Sequence, residues 1–304
     1  MQIYFPGMPA DTLTSRIGNT PLLRLGKLWP GGSPVSVYGK AEGFNPGGSV
    51  KDRAAWRIVR DALERGLLGK GQTLVDASSG NTGIAFAMLG AVLGFSVRIY
   101  LPASASPERK RILNVYGAET VLTDPLEGSD GAIRAVRSLI EKEGGSGRWY
   151  YADQYSNPMN SLAHYETTAE EIWKQTGGRL THFISGLGTS GTFCGTARRL
   201  KELNPAIERI SFQPDGPMHG LEGMKHMASA LVPAIYEPAL ATRDLACATE
   251  DAYGLCRRAA REEGLLMGVS AGAALAVALR VAGELEADGK EGMIVAILPD
   301  GADR

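Results

Sequence analysis

The chain has 304 residues, enough for two domains or one large and one small, with ample core. Its 32 Lys+Arg against 33 Asp+Glu leave a net charge of −1, which excludes a protein that lives on neutralising nucleic-acid phosphates. A hydrophobic content of 44% with 21% charged residues excludes disorder and fits a globular fold. Glycine is the outlier, at 39 of 304 residues, about 13% against a usual ~7%. With no collagen period, that excess points to tight turns where backbone meets ligand.

In chain order, strand-like runs at 35–41, 73–77, 97–101, 120–122, 149–152, 182–185, 209–213 and 293–298 alternate with helical runs. The helices are expected at 52–65, 82–93, 107–116, 128–143, 161–175, 192–203, 249–263 and 271–285. Such alternation means β-α-β crossovers and mostly parallel sheets, an α/β fold. The flexible stretch Glu143-Gly144-Gly145-Ser146-Gly147 is the expected joint between two sets of α/β units. The longest apolar run, residues 84–95, is too short to span a bilayer and reads as a buried helix. Residues 1–7 carry no signal-peptide pattern. Cys194, Cys247 and Cys256 form no C-x-x-C, and His164, His182, His219 and His226 have no metal spacing. No metal site is therefore expected, and a reducing cytoplasm is.

Ligands of parallel α/β sheets sit beyond the carboxyl ends of the strands. Four loops in such places carry chemistry. In Asn45-Pro46-Gly47-Gly48-Ser49-Val50-Lys51-Asp52-Arg53, a lysine opens a helix. It reads either as a solvated side chain or as an amine whose pKa is lowered by the helix dipole and burial, which Schiff-base chemistry requires. Asp52 and Arg53 are expected to cap or pair locally. In Ser78-Ser79-Gly80-Asn81-Thr82-Gly83, one hydroxyl suffices to cap the helix; the surplus resembles a carboxylate receptor. Gly186-Leu187-Gly188-Thr189-Ser190-Gly191-Thr192 is a phosphate-cradle signal without the lysine of a Walker A loop. Its three glycines also match G-x-G-x-x-G, with Asp215 following, so an NAD-linked oxidoreductase competes at this point. The hydroxyls at 189, 190 and 192 favour a phosphate monoester. In Gly268-Val269-Ser270-Ala271-Gly272-Ala273, Ser270 alone reads as an N-cap. One cofactor needs an imine-forming lysine, a monoester cradle and ring-directed hydrogen bonds: pyridoxal 5′-phosphate.

These four motifs, with Ile17-Gly18-Asn19-Thr20-Pro21-Leu22 at the start and Leu298-Pro299-Asp300-Gly301 at the end, resemble the fold-type II pyridoxal-phosphate enzymes of the cysteine synthase / cystathionine β-synthase family. The likeness is nearest to the B-type cysteine synthases and covers almost the whole chain. It implies two open, mostly parallel sheets in two domains, like the tryptophan synthase β-subunit. Residues 40–147 would form a smaller mobile domain, and 1–39 with 148–304 a larger one. It implies that Lys51 forms the internal aldimine, Asn81 meets the ring hydroxyl, Gly188, Thr189, Ser190, Gly191 and Thr192 bind the phosphate, and Ser270 meets the pyridine nitrogen. Ser78, Ser79, Thr82 and Gln154 would contact substrate. The segment Pro217-Met218-His219-Gly220-Leu221-Glu222-Gly223-Met224-Lys225-His226 departs from the A-type pattern. There His219, Lys225 and His226 read either as surface residues or, for Lys225 or one of the histidines, as a reader of the anionic leaving group of O-phosphoserine or of an anionic sulfur donor.

The implied reaction is β-replacement on O-acetylserine or O-phosphoserine through an α-aminoacrylate, giving L-cysteine. The sulfur donor would be sulfide, thiosulfate or a carrier-protein thiocarboxylate. A cytoplasmic homodimer is implied. Cystathionine β-synthase and serine/threonine dehydratase chemistry remain alternatives within the fold.

Overall fold

A computed structural model describes residues 12–30, 33–78 and 80–302. Two sheets organise it. The six-stranded sheet contains β1 (Leu22–Arg24), β2 (Val35–Ala41), β7 (His182–Gly186), β8 (Glu208–Pro214), β9 (Arg243–Cys247) and β10 (Gly292–Leu298), in the order β1-β2-β10-β7-β8-β9. Only β1 is antiparallel to its neighbour. The four-stranded sheet, β5-β4-β3-β6, is all parallel and contains β3 (Thr73–Ala77), β4 (Ser96–Pro102), β5 (Glu119–Thr123) and β6 (Trp149–Tyr151). The expected α/β fold with two mostly parallel sheets is what forms. β6 lies past residue 147, so the small sheet's last strand falls outside the 40–147 span read from the sequence.

Apolar helices cover both faces of each sheet, as parallel strands require. α8 (Thr249–Arg258) and α9 (Val269–Ala287) bury one face of the large sheet around Ile210, Leu275 and Ile294. α6 (Ala169–Thr176) and α7 (Gly191–Leu203) bury the other around Phe183, Phe193 and Val295. On the small sheet, α1 (Lys51–Glu64), α2 (Asn81–Leu93) and α3 (Pro107–Val115) share one core, and α4 (Gly128–Glu143) packs behind β3. α2 is apolar on every side and is buried from Thr82 through Gly90, as the uninterrupted apolar run predicts. α1 packs against α2 and also against α5 (Pro158–Ala163), so it bridges the two halves.

Two strands escape the sequence pattern. β1 is three residues long, and β9 is a charged edge strand whose residues Arg243 and Asp244 hide its alternation. The helix expected at 161–175 starts earlier, at Pro158, because the Asn157 side chain accepts a hydrogen bond from Met159 N–H. It is then broken by a π turn, His164–Thr168, before α6. A π turn widens a helix locally and often marks a functional site; this one lies behind the loop that follows β7, with His164 Nε2 3.3 Å from Thr192 Oγ1.

Candidate active site

The carboxyl ends of β3, β7 and β10 converge on one pocket between the two sheets. Lys51 is the first residue of α1. The β10 exit loop holds it in place: Val50 N–H donates to Pro299 O at 2.8 Å, and Ser49 bridges to Asp300. Burial pushes the Lys51 ammonium pKa down, against the pull of Asp300 and Glu42. Asp52 accepts from Gly47 N–H, the local capping expected of it. Arg53 does not pair locally alone. It donates to Glu42 at 2.7 Å and to Glu171, 118 residues away, at 2.7 Å. The fully buried Lys40 reaches the same Glu171 at 2.6 Å, and Thr20 donates to Glu42 at 2.7 Å. This network ties the Gly18-Asn19-Thr20 turn to the helix that presents Lys51.

The loop after β7 opens α7. Ser190 has φ +66°, a left-handed conformation uncommon for serine, and its buried hydroxyl has no hydrogen-bond partner. Asn160 donates to Thr189 Oγ1 at 3.0 Å, and Thr192 Oγ1 lies 3.3 Å from His164 Nε2. Burial, with help from the Arg53 charge, pushes His164 down to about 3, so the ring behind the loop is neutral. Gly188 is required by a close approach: a Cβ there would lie 2.4 Å from the Gly223 carbonyl oxygen. Gly191 faces Asn160 in the same way, its Cβ falling 2.0 Å from Asn160 Oδ1.

The Asn81 loop is already engaged with the protein. Ser78 Oγ accepts from Gly83 N–H at 2.9 Å and Gly80 N–H at 3.2 Å, so it serves as the helix cap. Thr82 donates to Gln154 Oε1 at 2.7 Å, and Gln154 donates to Ala77 O at 2.7 Å. Asn81 Nδ2 donates to Asp300 at 2.7 Å, while its Oδ1 is buried without a partner. Ser79 lies outside the described residues. Ser270 faces the pocket from the start of α9 and donates to Asp300 at 3.4 Å. Asp300 thus links the Asn81 and Ser270 loops. Burial pushes its carboxyl pKa up.

Two ion pairs cross the pocket mouth. Arg109 of α3 donates to Glu222, and Lys225 donates to Asp130 of α4 at 2.7 Å while lying 5.2 Å from the Tyr155 ring centroid. Lys225 is buried and lines the pocket, so it is not a surface residue. Sequence reading missed Arg109, Glu222, Asp130 and Asp300 as site residues. Asp300 and Glu222 stood inside quoted motifs; the mouth pairs join residues 113 and 95 apart, and no local signal marks Arg109 and Asp130 as their partners.

The pyridoxal-phosphate dependent enzyme family profile matches residues 13–300. The chain belongs to this family. As a pyridoxal-phosphate-dependent chain it is 48% identical over 296 residues to the cysteine synthase of Aquifex aeolicus, covering 97% of this chain and 90% of that one. It is 42% identical to cysteine synthase B of Pseudomonas aeruginosa, covering 100% and 97%. Its fold matches the crystal structure of O-acetyl serine sulfhydrylase isoform 3 from Entamoeba histolytica with TM-score 0.88 and 32% identity, over 100% and 92%. The family decides against the NAD-linked reading of the G-x-G-x-x-G loop. Pyridoxal 5′-phosphate is the cofactor, and the residues fit it. The unpartnered Ser190 hydroxyl sits at a helix N-terminus that favours a phosphate, and the unpartnered Asn81 Oδ1 sits near Lys51 where a ring hydroxyl can donate to it.

Proposed function

We propose that this chain is a cysteine synthase, a transferase that replaces the β-substituent of O-acetylserine or O-phosphoserine with a sulfur nucleophile to give L-cysteine. One observation carries the reading: the Lys51 amine, the 188–192 cradle and the Asn81 loop line a single pocket. Pyridoxal phosphate, when bound, supplies an electron sink for negative charge at the substrate Cα.

The chain supplies the rest. Lys51 would hold the cofactor covalently. Its lowered pKa keeps a share of the amine neutral, and a neutral amine can also take the Cα proton. Gly188, Thr189, Ser190, Gly191 and Thr192 would hold the phosphate, Asn81 the ring hydroxyl, and Ser270 the ring nitrogen. A neutral hydroxyl at that nitrogen favours elimination at Cβ over transamination. Ser78, Ser79, Thr82 and Gln154 would receive the substrate carboxylate, with Thr82 and Gln154 exchanging their mutual bond for the ligand. Lys225 would meet an anionic group at the mouth.

Substrate bound at the 78–82 loop would draw the piece of about residues 40–147, which carries β3, β4 and β5 of the small sheet, toward the cradle. The sulfur donor is sulfide, thiosulfate or a carrier-protein thiocarboxylate. The partner in assembly is a second copy of the chain, and the compartment is a reducing cytoplasm, in keeping with the free thiols of Cys194, Cys247 and Cys256.

Product analysis tests the reading. Purified enzyme with pyridoxal phosphate is given each activated serine with each small sulfur donor. L-cysteine is the expected product. Pyruvate from free serine with no cysteine from any pair would replace the reading with a dehydratase.

A further inference from the structure

Resting on that reading, we propose that Glu222 sets the pocket's tolerance for anions. Its carboxylate covers a position on the Arg109 guanidinium that a tetrahedral oxyanion, such as a phosphate ester or inorganic phosphate, takes by displacing it.

The two partners differ in exposure. The Arg109 side chain is 7% exposed and that of Glu222 is 52%. Arg109 is held in the pocket wall beside the start of α2, where a Cβ on Gly80 would lie 2.9 Å from Arg109 Nε. Glu222 sits in the long connection between β8 and β9, next to Gly223, whose φ of +80° only glycine adopts readily. The carboxylate can therefore leave for water while the guanidinium stays.

The neighbouring pair behaves differently. Asp130 accepts from Lys225 and also from Leu231 N–H at 2.9 Å, so two bonds hold it. Among the described residues, no second hydrogen bond holds the Glu222 carboxylate. Of the two carboxylates at the mouth, Glu222 is the one an incoming anion can replace.

The chemistry selects the ligand class. A guanidinium exchanges one oxyanion for another, in bidentate geometry, at little cost. A neutral acetyl ester has no charge with which to compete against a carboxylate. A phosphate ester does, and the positive end of α2 favours it further. Glu222 thus acts as a discriminator between neutral and anionic substrates.

The test uses the enzyme loaded with pyridoxal phosphate and the variant Glu222→Gln. Inorganic phosphate is titrated, read by the cofactor's visible absorbance and by inhibition of turnover. In parallel, kcat/KM is measured for O-phosphoserine and O-acetylserine. In E222Q, phosphate binding tightens about tenfold and the phosphoserine-to-acetylserine ratio of kcat/KM rises about tenfold. Adding Arg109→Met to E222Q removes both gains. Phosphate affinity and ratio unchanged in E222Q, or gains that survive the loss of Arg109, overturn the proposal. Should the double variant not fold, Glu222→Asp serves instead, and it must fall between wild type and E222Q. If wild type makes cysteine from neither serine, the functional reading fails, while the phosphate titration still decides the role of Glu222.

Discussion

The floor and the mouth of this pocket are built on different physics. The floor, around Lys51, the 188–192 loop and His164, is buried at Thr189, Ser190 and His164 and part-buried at Lys51, Gly188 and Thr192, and it uses neutral hydroxyls, helix amides and glycines at sites of close approach. The charges that support it, Lys40, Glu42, Arg53 and Glu171, are closed into a network behind it. The mouth instead uses two ion pairs that join opposite sides of the cleft, with Glu222 half exposed. A floor of this kind binds one group and tolerates little change. A mouth of this kind can be retuned by single charges without touching the fold.

The sharpest way to break that contrast is Lys51→Ala. Losing the proposed covalent anchor and proton acceptor together should cut turnover by about 10³-fold or more and abolish borohydride-fixable colour. An active, coloured variant would remove the floor's central element. Next comes Arg53→Met, which leaves Glu42 fully buried without its guanidinium. Chemical denaturation should show a loss of about 3–5 kcal/mol, since breaking one partner of a buried pair strands a charge.

The His164 ring gives a pH-dependent effect. Unfolded, it binds a proton near pH 6.5; folded, only near 3. The unfolded state therefore holds more protons between those values, and stability falls as pH drops through that window. Between pH 6.5 and about pH 4 the loss should be on the order of 3 kcal/mol, and His164→Gln should flatten it. Equal acid slopes in both proteins would show that the ring is not buried neutral.

Ser190→Ala should weaken cofactor binding about tenfold, the worth of one hydrogen bond to a charged group, read by cofactor titration. Smallest of all, Asp130→Asn at the mouth keeps an amide oxygen to accept from the buried Lys225 ammonium, so it should lower stability by only about 1 kcal/mol. A loss as large as that of Arg53→Met would erase the distinction between the two regions.

The contrast also explains what could be read in advance. The floor is written in contiguous motifs, because a strand, its exit loop and the helix start are neighbours in the chain. Lys51, Asn81, Ser190 and Ser270 were legible for that reason, and the structure brings all four into one pocket. Ser78 shows the limit of that reading. Its hydroxyl has two uses, and in the structure it caps α2. The mouth is assembled by tertiary closure between α3 or α4 and the segment after β8. Charged residues there look like any solvated face until their partners are known. β1 and β9 were hidden by shortness and by edge charges, and the π turn at His164–Thr168 by a helical pattern that runs straight through it.

β10 is the final strand in sequence, yet it occupies the middle of the large sheet, and its exit carbonyl at Pro299 fastens the backbone beside Lys51. Without residues 292–300, β2 and β7 have no common neighbour and the backbone beside Lys51 has no carbonyl to fasten it. Assembly of the large sheet therefore rests on pairing between parts of the chain far apart in sequence, a slow kind of contact to make, and the perch of Lys51 forms only with it.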